Sequence, residues 1–373
     1  MKTMPSLKDS ILLLFHHMRL RFDGTKFPQL EATYQFIFTD VDNGFPVYMK
    51  FSRGTAEHSE GLSDNPSVTI RIPAALWLDI SGGFRNPVWA LITRQFTVEG
   101  QRSLFRLLPN LLTKKVDVPK SLVFSKEWTA PARVLVLIGN PRKKNGLTYF
   151  YLQALLDGMK HAGAAIEEIM LYEKKINYCL GCYHCWTKTP GRCVQKDDQA
   201  ELLEKMNAAD LIVYAMPMYY HSMPGLMKNH FDRQLPMMLP YVEKAGNITR
   251  HPRRNAVKHN IALFSVCGFP ELEQFDPLVK TMEAYAKLGN VGLVTTVLIP
   301  GAMKLYYDPT HRAKLLEILQ WLRSAGEQII RKGAVDKKTL KAIGNIPTSL
   351  ARWRDDSNWH WHDEINAGPD TAG

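Results

Sequence analysis

No apolar run in this chain approaches the roughly 20 residues needed to cross a bilayer. The short apolar stretch near the start, Ile11 to Phe15, is flanked by charges and histidines and lacks a small-residue cleavage site. Ser6 to Arg21 therefore reads as a domain helix, not a signal peptide. Cysteine is scarce, with five in the chain. Lysine and arginine (47) outnumber aspartate and glutamate (36), for a net charge of +11, but the excess is dispersed. A basic stripe with stacking aromatics is absent, which argues against nucleic-acid binding. The densest basic run is Arg250-His251-Pro252-Arg253-Arg254, either a solvated loop or a grip for a polyanion. With 373 residues the chain is too long for one ordinary domain, so two are expected.

Four of the cysteines crowd together as Cys179, Cys182, Cys185 and Cys193; only Cys267 lies apart. Such clustering marks chemistry or a metal site more often than packing. Three readings are open. The C-x2-C-x2-C opening with a fourth cysteine seven residues on resembles the ligand run of a [4Fe–4S] cluster. Zinc favours two separated knuckles and fits less well. Free thiols or a redox disulfide are the plain alternative.

Around this run the chain alternates strands and helices. Ala132 to Gly139 is a β-branched apolar strand, followed by a polar turn and a helix from Tyr149 to Ala162. Further strands are expected at 210–216, 260–266 and 293–298, each ending in a loop rich in Pro, Gly or aromatics. This pattern predicts a doubly wound parallel α/β sheet with its ligand beyond the carboxyl ends of the strands. The first turn, Gly139 to Thr148, has neither the dinucleotide glycine spacing nor the Gly-Lys-Ser/Thr ending. It still offers a helix N-terminus, with Arg142, Asn145 and Thr148 as donors for an anion.

Several motifs in order carry a resemblance. Gly139-Asn-Pro-Arg142 with Gly146-Leu-Thr148, Met216-Pro-Met-Tyr-Tyr220, Met223-Pro-Gly-Leu-Met-Lys228 and Phe231-Asp-Arg233 resemble the flavodoxin-fold NADPH-dependent FMN reductase family. With the cysteine run and Lys196-Asp-Asp198, residues 131–335 are similar to its iron-sulfur flavoprotein branch. The resemblance implies that Asn140, Arg142, Asn145 and Thr148 hold the FMN phosphate, with Leu147 offering only its backbone N–H. It further implies that Pro217, Met218, Tyr219 and Tyr220 pack along the isoalloxazine, with Cys267 and Gly268 on the opposite loop. NAD(P)H is then the hydride donor, and Arg250 to Arg254 become a candidate grip for its 2′-phosphate. Asn140 stands where the family usually has Ser, and Leu147 where it often has Asn.

Residues 1–112 read as an α+β domain. Strands are expected at 34–38 and 46–51 around an Asp42-Asn43-Gly44 turn, then at 68–72 and 96–100, with helices carrying Trp77 and Ile80, a second helix after Asn86-Pro87, and a third from Ser103 to Leu112. Asn65-Pro-Ser-Val-Thr-Ile70, Trp77 and Phe96 to Gly100 resemble the sterol-carrier-protein lipid-binding domain. That resemblance implies an apolar tunnel for a lipid or other apolar small molecule, lined by Trp77, Ile80, Val88, Trp89, Leu91, Leu104, Phe105 and Leu108; a filled core is the alternative. Residues 113–131 are the expected linker, 132–335 the flavodoxin-like domain, and 336–373 a tail rich in Trp and His. That tail, with Trp353, Trp359, His360, Trp361 and His362, is too apolar for free disorder and should dock over the flavin mouth or on a partner subunit.

The function expected is an FMN-dependent NAD(P)H oxidoreductase, homo-oligomeric and cytoplasmic, passing electrons to a quinone-like, protein or iron-sulfur acceptor. A lipid-binding protein fused to a flavodoxin-like electron carrier is the competing class.

Overall fold

The computed structural model describes residues 5–115, 128–255, 259–346 and 349–367. They form two compact units that divide at Asp117/Val118. Residues 116–127 of the expected linker lie outside the described residues.

In the N-terminal unit, helix α1 (Leu7–Arg21) opens with a reciprocal cap, Ser6 Oγ accepting from Asp9 N–H at 3.1 Å and the Asp9 carboxylate from Ser6 N–H at 3.2 Å. Then follow β1 (Ala32–Phe38), β2 (Phe45–Ser52), β3 (Thr55–Glu60), β4 (Val68–Ile72), α2 (Ala74–Ser81), α3 (Pro87–Ile92), β5 (Thr97–Gly100) and α4 (Arg102–Leu111). The sheet runs β3-β2-β1-β4-β5, with β1 and β4 parallel and the other pairs antiparallel. Alternating residues Tyr34, Phe36 and Phe38 face the helices and bury against Ile11 and Phe15 of α1. The Phe15 and Phe36 rings meet edge-on at 4.9 Å. This is the α+β architecture expected. Three details differ: the polar edge strand β3 was not anticipated, β5 begins one residue after Phe96, and α4 is shifted by one residue. The expected tunnel lining also divides. Trp77 and Leu108 are buried in the core, while Val88 and Trp89 stand about two-thirds exposed and Leu91 is exposed too.

The second unit contains β6 (Arg133–Ile138), α5 (Leu147–His161), β7 (Ala165–Met170), α6 (His184–Thr187), α7 (Gln199–Ala208), β8 (Leu211–Pro217), α8 (Gly225–Asp232), a small hairpin of β9 (Glu243–Ala245) and β10 (Ile248–Arg250), β11 (Asn260–Val266), α9 (Asp276–Gly289), β12 (Leu293–Ile299), α10 (Ala302–Tyr307), α11 (Arg312–Lys332), α12 (Lys337–Gly344) and α13 (Leu350–Ala367). Its sheet is parallel throughout, in the order β7-β6-β8-β11-β12. Numbered within this unit, that order is 2-1-3-4-5, the flavodoxin-like doubly wound fold. Both faces are covered. Val134, Val136 and Ile138 pack with α5 and α11, while Leu135 and Leu137 pack with α7, α8 and α9. Strand β7, with Glu167 and Glu168 in its middle, escaped the sequence pattern because it is an edge strand. Helix α5 starts two residues before the expected Tyr149.

Candidate functional site

In a 2-1-3-4-5 sheet the chain order reverses between β6 and β8, which leaves a crevice beyond their carboxyl ends. The loops leaving those two strands are the ones predicted to hold FMN. Asn140 is buried and its Nδ2 donates to the Lys143 carbonyl at 2.6 Å, so this side chain braces the turn itself. Gly146 is required beneath it, because a Cβ there would sit 2.6 Å from Asn140 Oδ1. Arg142 and Asn145 are exposed, Leu147 half-buried and Thr148 buried. Helix α5 opens at Gly146 with no side-chain cap. Its first amides are thus left for an anion, which suits a phosphate group.

After β8, Pro217 is buried and Met218 N–H donates to the Val266 carbonyl at 2.9 Å, tying this loop to the end of β11. Tyr219 and Ser222 exchange backbone hydrogen bonds of 3.0 Å across a two-residue turn. Both central residues, Tyr220 (φ 49°) and His221 (φ 62°), are left-handed without being glycine. Such conformers cost on the order of 1–3 kcal/mol each and cluster at functional sites. The turn holds Tyr220 out, 99% exposed, and leaves Tyr219 half-exposed. Tyr172, in a short turn after β7, joins this group. Burial raises its hydroxyl pKa, and nearby Tyr219 raises it further. Cys267 follows β11, buried, with its Sγ accepting from Phe269 N–H at 3.3 Å, while Gly268 is exposed. Burial pushes the Cys267 thiol pKa up.

The structure brings the other four cysteines together. Cys179, Cys182, Cys185 and Cys193 line one small cavity, with Arg233, Leu235 and Pro236 closing it. Burial pushes the Cys185 thiol pKa up, and Cys193, Cys182 and Cys179 push it further in the same direction. Among the described residues no three His, Cys, Asp or Glu side chains converge as a single-ion site. A tetrahedral zinc would draw its sulfurs to within about 4 Å of each other, given Zn–S bonds of about 2.3 Å. A four-iron cluster holds its thiolates farther apart.

Asp197 and Arg233 lie inside motifs whose local sequence shows no role for either. They form a bidentate pair (2.8 and 2.9 Å) with side chains 0% and 1% exposed. Arg233 also donates to the Asn177 carbonyl at 2.9 Å, and its Nε is buried with no hydrogen-bond acceptor among the described residues. Burial opposes the charge on Arg233; Asp197 and neighbouring Cys193 more than offset it and raise its pKa. A buried cation with an unused donor beside the four thiols fits a sulfur-rich anionic group.

The basic run has a structural use. Arg250 pairs with Glu243 at 2.8 Å, Arg253 is buried and donates to the Gly289 carbonyl at 3.3 Å, and Arg254 donates to the Pro236 carbonyl at 3.1 Å. The expectation of a solvated loop gives way to arginines engaged within the fold.

Residues 132–266 match the model of the NADPH-dependent FMN reductase family. Over 100 residues the reductase-like segment is 38% identical to an iron-sulfur flavoprotein of Archaeoglobus fulgidus, covering 27% of this chain and 44% of that one. This chain spans about half the length of the curated relatives it matches. Among solved structures, an NAD(P)H:quinone oxidoreductase from Methanothermobacter marburgensis superposes with TM-score 0.40 at 17% identity, covering 54% of this chain and 98% of that one. The sterol carrier protein 2-like 2 of Aedes aegypti does so with TM-score 0.26 at 16% identity, covering 28% of this chain and 99% of that one.

Proposed function

We propose that the C-terminal unit binds FMN and works as an NAD(P)H-dependent flavin oxidoreductase. One observation carries the reading: the uncapped start of α5 and the strained Tyr219–Ser222 turn flank the switch-point crevice of a segment that matches the FMN reductase family. When bound, FMN supplies the hydride and electron chemistry that side chains lack. The protein's part is to hold and shield it. Arg142 and the first amides of α5 bind the phosphate, Asn140 keeps the turn in shape, and Met218 and Tyr219 cover the ring.

Rapid bleaching of bound flavin by NADPH in stopped flow is the expected result. No bleaching at high NADPH would leave an electron-carrier protein instead. Arg142→Ala should weaken FMN binding by about 1.5–3 kcal/mol, the usual worth of a hydrogen bond to a charged group. Unchanged affinity in a fluorescence titration would move the phosphate elsewhere.

The four thiols around one cavity supply the donor set of a [4Fe–4S] cluster, beside Arg233. Anaerobically purified Cys185→Ser protein should lose iron and broad visible absorption but keep its FMN, because the phosphate turn and ring loop are separate from the cysteine loop. Wild-type protein without iron or acid-labile sulfide, even after reconstitution, would leave the thiols a structural or redox role.

The N-terminal unit is read as the holder of an apolar ligand. Phe84, Val88, Trp89 and Ile92 are exposed apolar residues on and beside α3, at the edge of a core otherwise filled by aromatics. Native mass spectrometry of the full chain with added acyl-CoA should show a one-to-one complex. Absence of any complex across several chain lengths would return this unit to a filled-core scaffold.

A further inference from the structure

Helix α13 lies outside residues 132–266 that match the family model, and the sequence left its docking open. It docks on the loop after β11: Trp353 is buried, with its ring 6.3 Å from Phe269, two residues beyond Cys267. Two further ties hold it there. Lys304 of α10 pairs with Asp356, and Arg354 pairs with Glu271 at 3.2 Å. Residues 354, 357, 358 and 361 recur at helical spacing, so one face of α13 looks onto this loop. Between helix and loop lies a cleft of about 490 Å³. That is within the roughly 300–1,000 Å³ of small-molecule sites.

The walls state what chemistry fits. Phe269 and Trp361, each about half-exposed, and Trp353 between them present aromatic surface to a flat guest. The two charged residues in the lining, Arg354 and Glu271, pair with each other at 3.2 Å and leave it without net charge. An anionic guest would find no net positive charge there to offset the cost of leaving water. Gln274 and Asn358 add uncharged amides and Ser357 a hydroxyl, groups that suit a carbonyl oxygen.

We infer that the cleft between α13 and the Phe269–Gln274 loop is a binding site for a flat, uncharged aromatic molecule bearing a carbonyl group. The inference does not depend on the reductase reading, because it concerns binding at equilibrium and not turnover.

Coumarin is the probe, titrated into the full chain by calorimetry. One saturable site is expected. Trp361→Ala, at a half-exposed position, should raise its dissociation constant roughly tenfold by removing one stacking wall. Coumarin-3-carboxylate should bind at least tenfold more weakly than coumarin, because the lining carries no net positive charge to receive it. Circular dichroism melting of the variant serves as the check on folding, and Asn358→Leu, on the same cleft-facing side of the helix, provides a second variant with the same expected direction. Absence of coumarin binding up to millimolar concentration would overturn the inference. So would an affinity unchanged in both variants, which would place the coumarin in another part of the chain, or tighter binding of the carboxylate.

Discussion

Gly326→Ala should destabilise the C-terminal unit by on the order of 3 kcal/mol, although alanine is the better helix former by about 1 kcal/mol. Helices α5 and α11 cross in backbone contact through two glycines. A Cβ on Gly326 would run into the Leu155 carbonyl oxygen and lie 2.8 Å from Met159 N and 3.1 Å from Gly158 Cα. A Cβ on Gly158 would in turn meet the Arg323 carbonyl. Backbone atoms on a buried helix cannot swing aside as a side-chain end can, so the helices must part. Parting them opens the core formed by Leu152, Leu155, Leu322 and Ile329. Urea unfolding followed by circular dichroism measures the loss. A variant as stable as wild type would mean that the helices do not cross this closely.

Asp197→Asn should cost about 3–5 kcal/mol, the penalty for leaving one member of a buried ion pair without its partner. The carboxylate accepts from both Arg233 Nη atoms and from Asn177 N–H at 3.0 Å, and an amide in its place would turn a donor toward the guanidinium. Burial by itself would raise the Asp197 carboxyl pKa, but the bonds from Arg233 and Asn177 outweigh it and hold the value below the usual carboxylate range. The sign follows from linkage. A depressed folded-state pKa contributes stability that is fully present above the unfolded value near 3.9 and is lost as pH falls through the folded value. Wild-type protein should therefore lose this contribution below about pH 4, and the variant should show a shallower loss over the same interval. Equal urea midpoints for the two proteins at pH 7 would remove the pair from the list of important contacts. Because Arg233 also closes the cysteine cavity, the variant's cysteines should react faster with a thiol reagent.

Much of the fold was legible because buried strands announce themselves. Val68–Ile72 and Asn260–Val266 lie where their β-branched runs put them. Polar edge strands gave no such signal. Thr55–Glu60 and Ala165–Met170 carry charges on residues that face solvent, and they are strands because a neighbour's backbone pairs with them. The left-handed Tyr220 and His221 were equally invisible, since their residue types do not ask for that conformation and only the closed turn imposes it.

The sequence alone determined the parallel α/β class, because hydrophobic periodicity and loop composition are local properties. Tertiary structure alone decided the contacts that span long stretches of chain. Arg233 meets Asp197 across 36 residues and comes to lie beside Cys193. Helix α13 finds the Phe269 loop more than 80 residues upstream, as Arg354 meets Glu271. Pairings at that distance depend on how the sheet brings its loop ends together, and nothing in the local pattern at either end encodes the partner.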